Sequence, residues 1–481
     1  MSQTQTITQT RPNKSLQYDI QAVNITSSTL PSYTWQQVSK HNTLSSLWCI
    51  NNQYVYDITE WINKHPGGQN VLLLSGGRDI TDLLISYHPF NVDKVHGILN
   101  KYCIGTVSEY EYPQFRSDTG FYHELRNDVY QYFKANSINY KSPVPGLIRL
   151  SLFMLCAIAL FIAQCTLYNS IPFTIQCIIA VGFGIFQALP LLHAMHDASH
   201  CSIGQHEYIW NSIGFVIMDL FAGASMYSWL NQHVLGHHIY TNITGTDPDV
   251  PSIQSGDLRR ISKQQSTNTW YQFQYIYLCI LYGLLALKFR VQDITDTFTQ
   301  QMNGSIRVNL NMYIICKQVF SKLFWFTWRI LLPIYYFNLS YTDYTILFLL
   351  SEYVTGAYLT FNFQVSHITP DMIFPDNFDN KLLQYNADKL NEWAIHQCST
   401  SLDYSHNNSF VQLLCGALNY QIEHHLFPSV SQYCYPGIAP IVRAKCEKYN
   451  IPYYCVDTFY TALSLHMQHL KDMGFDALHE H

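Results

Sequence analysis

His196-Asp197-Ala198-Ser199-His200 opens a series of histidine clusters that organises this 481-residue chain. It directly follows an apolar run, and its two histidines lie four positions apart. On a helix that spacing puts both imidazoles on one face. Gln232-His233-Val234-Leu235-Gly236-His237-His238 repeats the arrangement, with His233 and His237 predicted to share a face and His238 beside them. Gln421-Ile422-Glu423-His424-His425 closes the series. A lone histidine of this kind is usually a satisfied interior residue. Seven in three clusters are hard to explain that way, because buried imidazoles without partners are costly. Neutral imidazole suits iron, zinc and copper, so the clusters predict a metal centre. An eighth candidate, His367, ends another apolar run in Phe363-Gln364-Val365-Ser366-His367.

The apolar runs around these clusters have membrane lengths. Residues 147–167 and 171–192 form one pair, and 323–340 and 344–364 a second. Each approaches the roughly 20 residues that cross a bilayer, although the third is short and carries Arg329 and Pro333. The links within each pair lack Lys and Arg. Lys141 precedes the first span and Arg149 lies at its start, and Lys288, Arg290, Lys317 and Lys322 lie between the second and third. The positive-inside rule then puts both termini and the central stretch in the cytosol, and all eight histidines fall on that side. Two further apolar stretches, 210–221 and 271–287, are predicted to lie in the interface. The alternative, that one of them spans, would separate the histidines.

Composition agrees with a membrane protein. Charged residues are 12% and aromatics 15%, against about 25% charged in soluble domains. The net charge of −6 and the lack of a basic block give no reason to expect a nucleic-acid partner. The 13 cysteines are scattered without a CxxC pair, which reads as reduced thiols. Residues 1–31 are polar, rich in Gln, Thr, Ser and Asn. They are expected to be disordered, and they lack the basic and apolar regions of a signal peptide.

A compact unit is expected over 32–107. Leu47-Trp48-Cys49-Ile50-Asn51-Asn52-Gln53-Tyr54-Val55-Tyr56 reads as a hairpin broken at Asn51-Asn52. A short helix start at Thr59-Glu60-Trp61-Ile62 runs into His65-Pro66-Gly67-Gly68. There the proline and glycines end the helix and hold the backbone close to a flat ligand. Helical patterns follow over 69–74 and 79–86, ending at Tyr87-His88-Pro89. This stretch resembles the cytochrome b5 family. The resemblance implies haem b, with His65 and His88 as axial ligands; His96 is the second candidate for the latter. Bis-axial ligation of this kind serves electron transfer. Residues 108–146 read as a polar connector with helical stretches.

Three histidine clusters of these spacings, ordered around four spans over 147–481, resemble the membrane fatty-acid desaturases. The fused haem unit, and Gln421 at the first position of the third cluster, resemble the front-end subfamily. The fold implied is an α+β cytochrome b5-like domain followed by an all-α membrane body with four transmembrane helices. Matched position by position, the resemblance implies a di-iron site held by His196, His200, His233, His237, His238, His424 and His425, with His367 as a further ligand. Iron is preferred over zinc because zinc does not change valence and a haem domain would be idle beside it. Among the remaining histidines, His193 is expected to pack locally or to support a ligand, and His206, His396 and His406 to be structural or solvated. Asp197 and Glu423 are candidates to orient an imidazole.

The reaction so implied removes two hydrogens from adjacent carbons of an unactivated acyl chain, with O₂ as co-substrate and iron supplying the oxidising power. Two electrons would arrive singly through the haem from NADH, by way of a separate cytochrome b5 reductase. The segments 229–242 and 281–294 resemble fungal and amoebal Δ5 desaturases. They imply a cis Δ5 bond in a C20 (or C18) polyunsaturated chain carried on phospholipid or coenzyme A, at the endoplasmic reticulum membrane. Rival readings are a Δ6 or Δ8 desaturase, a sphingolipid long-chain-base desaturase, a lipid hydroxylase and, remotely, a membrane haem electron carrier.

Overall fold

The computed structural model describes residues 30–250, 257–375 and 390–479. The polar tail expected over 1–31 lies almost wholly outside these residues. The first unit is built on a mixed sheet. Ser46–Asn51 and Tyr54–Asp57 pair antiparallel with Asn51 opposite Tyr54, and Asn52 takes the left-handed conformation (φ 53°) that the two-residue turn requires. Cys103–Val107 adds antiparallel to Tyr54–Asp57, Ser32–Tyr33 runs parallel beside it, and Arg78–Asp79 pairs with Ser46–Asn51. Gln69–Ser75 and Thr81–Tyr87 form helices over this sheet. Their apolar faces, with Leu47, Ile58, Ile62 and Leu84, make the core.

Residues 108–146 do more than connect. The helix Phe121–Ala135 buries Phe121, Tyr122, Leu125, Val129 and Phe133. These side chains share one core with Ile422, Leu426 and Phe427 around the third histidine cluster. Lys445 fixes the packing with ion pairs to Asp128 (2.7 Å) and Glu124 (3.2 Å).

Among the described residues, four helices are long and apolar enough to cross a membrane: Val144–Thr166, Phe173–Ser199, Thr269–Thr299 and Tyr341–Gln364. Three of them cover nearly all of the runs expected at 147–167, 171–192 and 344–364. The remaining one contains 271–287, which was expected to lie in the interface. The run 323–340 falls instead in Met312–Phe326 and its continuation Thr327–Tyr336. Lys317, Lys322, Arg329 and Pro333 dilute the apolarity of that helix. A bent pair, Glu207–Ala222 with Met226–Tyr240, turns through 114°. The bend sits at Gly223 (φ 70°), where the Trp325 ring occupies the space a side chain would need.

Among these helices a charged network is buried. Glu352 accepts from Arg290 Nη1 at 2.7 Å and lies 3.5 Å from Arg329 Nη2. Arg329 is fully enclosed, with its guanidinium over the Phe183 ring. The body is otherwise helical, with three two-stranded ladders among the described residues.

Candidate metal centre and haem cleft

Two helices arrive at the centre with widened turns. Leu191–Met195, just before His196, is π-wound, and so is Leu230–His237. In such winding each N–H reaches the carbonyl five residues back, as His238 N–H does to His233 O. Residue i+5 then returns to the face that i+4 would occupy in an α-helix. His233 accordingly meets His238, with Nε2 atoms 3.2 Å apart. His237 turns towards His367 and His425, at ring-centroid separations of 4.7 and 5.1 Å. The face expected to carry both His233 and His237 is therefore split between two nitrogen clusters.

All eight candidate histidines are buried and converge. Nitrogens of His196, His200, His233 and His424 lie within 4.8 Å of one another. Those of His237, His367 and His425 do the same, as do those of His238, His424 and His425. His233 Nε2 lies 3.0 Å from His196 Nε2, 3.0 Å from His200 Nε2 and 3.2 Å from His238 Nε2. One ring nitrogen carries either a proton or a lone pair, so it satisfies one such neighbour and not three. His424 Nε2 and His425 Nε2 are buried without any hydrogen-bond partner. A cation among these nitrogens would satisfy them together, and the donor set therefore fits a metal pair. Burial also holds the imidazoles neutral: it lowers His200, His424 and His425 well below the usual range and His367 to about 3. Gln421 Nε2 stands 2.8 Å from His367 Nε2, on the side facing the cluster.

The outer ring nitrogens are held by groups that the spacing of histidines does not reveal. His237 Nδ1 lies 3.0 Å from Asp247 Oδ2, and His425 Nδ1 2.8 Å from Gln397 Oε1. His367 Nδ1–H donates to the Thr400 carbonyl at 2.9 Å. His424 Nδ1 meets Tyr435 Oη at 3.2 Å, and His200 Nδ1 meets Tyr87 Oη at 2.8 Å. Of these partners, Asp247 is the one acidic residue, and its place in Asp247-Pro248-Asp249, just downstream of the second cluster, is a signal by which the chain could have pointed to it. Asp197 and Glu423 take other partners. Asp197 accepts from Gln432 Nε2 (2.9 Å) and Ser431 Oγ (3.3 Å), and Glu423 from the Tyr453 hydroxyl (3.0 Å).

The other histidines are bonded locally. His193 Nε2–H donates to the Leu413 carbonyl at 2.8 Å, and His396 Nε2–H to that of Thr241 at 2.7 Å. His406 sits 2.9 Å from Asp403, and His206 stacks on Tyr208.

His65 and His88 face each other across a cleft, with ring centroids 6.2 Å apart. That separation accommodates one metal ion bonded to both rings at about 2 Å. Burial lowers His65 and brings His88 to about 4, leaving both neutral. Gly67 lies so close to His65 that an added Cβ would stand 2.7 Å from Cε1. His96 sits on the helix Val92–Leu99 and does not line the cleft. The cleft opens into a cavity of about 1700 Å³ whose far wall belongs to the membrane body, at Ser199, Trp210 and Tyr227 among others. Apolar walls with two opposed neutral imidazoles fit a haem.

Comparison with known proteins agrees with this geometry. Residues 169–457 match the family model described as fatty acid desaturase, and residues 34–108 match the cytochrome b5-like heme/steroid binding domain. Acyl-lipid (8-3)-desaturase B of Dictyostelium discoideum is 38% identical, over 93% of this chain and 95% of the relative. Delta(5) fatty acid desaturase A of the same organism is also 38% identical, over 92% and 94%. Acyl-lipid (8-3)-desaturase of Mortierella alpina is 34% identical, over 92% and 97%. Haem follows from the first domain, and iron from the desaturase fold and its histidine clusters. The chain belongs to the fatty acid desaturase family, as a front-end membrane desaturase that carries its own N-terminal cytochrome b5-like domain.

Proposed function

We propose that this enzyme inserts a cis Δ5 double bond into a C20 or C18 polyunsaturated acyl chain, with O₂ as oxidant. Its electrons come from NADH through a separate cytochrome b5 reductase and then its own haem. The observation that carries the position is the likeness, along nearly the whole chain, to proteins named Delta(5) and (8-3) desaturases. In this reading His65 and His88 are the axial haem ligands. His196, His200, His233, His237, His238, His367, His424 and His425 hold two iron ions. The enzyme resides in the endoplasmic reticulum membrane with its termini and metal centre on the cytosolic side. Its substrate is an acyl-phospholipid or acyl-CoA.

Iron bound at the centre supplies the O₂ activation and one-electron chemistry that an unactivated C–H bond demands. The chain's own residues supply position and exclusion of water. Asp247, Gln397, the Thr400 carbonyl and Tyr435 each hold a ring nitrogen on the outer side, so that the opposite nitrogen presents its lone pair inwards. An apolar slot reaches His196 between the membrane helices, walled by Met195, Trp229, Phe289 and Phe363. Its volume is about 30 Å³, far too small for an acyl chain, which must part these side chains to enter. Gln187, Arg290 and Thr355 are the polar side chains on the same slot.

Fatty-acid profiling tests the reading. A yeast strain expressing the chain is fed C18 and C20 polyunsaturated acids one at a time, beside a His424→Ala control. A new Δ5 bond in C20 tri- or tetraenoic acid, absent from the control, is the expected result. A Δ6 or Δ8 product would refute the position and keep the reaction. No new fatty acid from expressed, haem-loaded protein would refute the acyl reading and favour a long-chain base as substrate.

A further inference from the structure

Tyr87 immediately precedes His88 in the chain, and its hydroxyl lies 2.8 Å from His200 Nδ1. One residue on the haem unit thus touches a histidine of the metal cluster and is covalently joined to a histidine of the haem cleft. The segment carrying it is clamped on both sides, by the membrane body and by the connector helix Phe121–Ala135. Ser429 Oγ–H donates to the Ser86 carbonyl (3.4 Å), and Arg126 Nη1–H to the Pro89 carbonyl (3.1 Å). Phe90 then packs among Phe133, Tyr140 and Phe427, with ring centroids 5.0 to 6.1 Å away. Ser429 and Phe427 both follow closely on His425. The docking therefore fixes the tip of the haem-cleft helix Thr81–Tyr87 against the third histidine cluster.

We infer that Tyr87 is the positioning residue that couples the two redox centres, and that electrons pass from haem to the histidine site along His88, Tyr87 and His200. The path from the His88 ring to the His200 ring is covalent except for the single hydrogen bond at the Tyr87 hydroxyl. With His200 Nδ1–H donating to Tyr87 Oη, the His200 Nε2 lone pair is left for the metal. Each transfer oxidises a ferrous haem by one electron and reduces a ferric ion at the histidine site by one. No bond to Tyr87 breaks, and its hydroxyl proton stays in place. This inference rests on the desaturase reading with haem as electron entry.

The test is Tyr87→Phe in the full-length, haem- and iron-loaded enzyme, which keeps the ring and removes the hydroxyl. Haem absorbance is followed by stopped flow after reduction by NADH and reductase, then mixing with O₂ and acyl substrate. Haem reduction should match wild type, while haem reoxidation falls well below the wild-type rate, because the one hydrogen bond in the path is lost. A parallel single turnover starts from enzyme reduced throughout by dithionite, so that no electron need cross from the haem. Its product yield per iron should fall far less than the rate of haem reoxidation does. Haem reoxidation at the wild-type rate would overturn the inference. So would a single-turnover yield that falls in step with reoxidation, because Tyr87 would then only hold His200 in place. Failure of the wild-type enzyme in the single turnover would instead count against the desaturase reading itself.

Discussion

The Nε2 atoms of His233 and His238 lie 3.2 Å apart although five positions separate the two residues. The π-wound turn that brings them together sends His237 the other way, to His367 and His425. One short helix thereby feeds separate nitrogen clusters, and of its histidines His237 has an anionic partner on its outer nitrogen.

Asp247 is the anionic neighbour of His237, at 3.0 Å, and it also accepts from the Asn242 backbone N–H. Asp247→Asn should weaken iron binding and activity by about 10- to 100-fold while leaving the haem spectrum intact. Iron measured per haem in purified enzyme checks this; full iron occupancy with full activity would show that the carboxylate is dispensable.

Glu352 balances two buried guanidinium groups, Arg290 and Arg329. Removing one partner from such a set leaves uncompensated charge and costs about 3–5 kcal/mol. Glu352→Gln should therefore lower the unfolding temperature in detergent well beyond the effect of a surface substitution. An unchanged melting curve would argue that the arginines reach water by another route.

Gly68 adopts φ 83°, and the Glu207 carboxylate of the membrane body fills the space its Cβ would take. With ψ 176° the backbone lies in a region essentially confined to glycine, where a side chain costs about 1–3 kcal/mol, and Glu207 must also move. Gly68→Ala should loosen the haem unit from the body and lower the temperature at which the haem absorbance band is lost. The same thermal loss in both proteins would contradict the close approach.

Acid sensitivity is built in away from the metal. His396 and His466 are fully buried, and burial lowers each from 6.5 to about 4. His466 is bonded to the Ile368 carbonyl (2.9 Å) and the Tyr282 hydroxyl (3.0 Å). Between those values the unfolded chain binds more protons than the folded one, so stability rises with pH. The contribution is complete above about 6.5 and is lost as pH falls towards about 4, at about 1.4 kcal/mol per unit for each group. His466→Gln should flatten this acid limb, as read from unfolding temperatures measured across that window.

Sequence by itself determined the parts whose chemistry is local. The hairpin at Asn51-Asn52, the His65 turn, the histidine clusters and three of the four long apolar helices were legible because short-range pattern and residue type decide them. Membership of the family was legible in the same motifs. The run 323–340 was misleading: its apolar residues suggested a span, while the longer helix Thr269–Thr299 passes the test of length and apolarity. Polar residues interrupt 271–287, and only the continuous helix shows how far that segment extends.

Tertiary structure decided what depends on helix winding and on long-range approach. The i+4 rule assumes an α-helix, and the π-turns at 191–195 and 230–237 change which histidines meet. Tyr87 lies 113 positions from His200, and Gln397 is 28 from His425. No local periodicity encodes such pairs; they exist because the helix Phe121–Ala135 and the third cluster pack into one core against the haem unit. The metal-binding residue types were thus written in the chain, and the groups that aim them were set by packing.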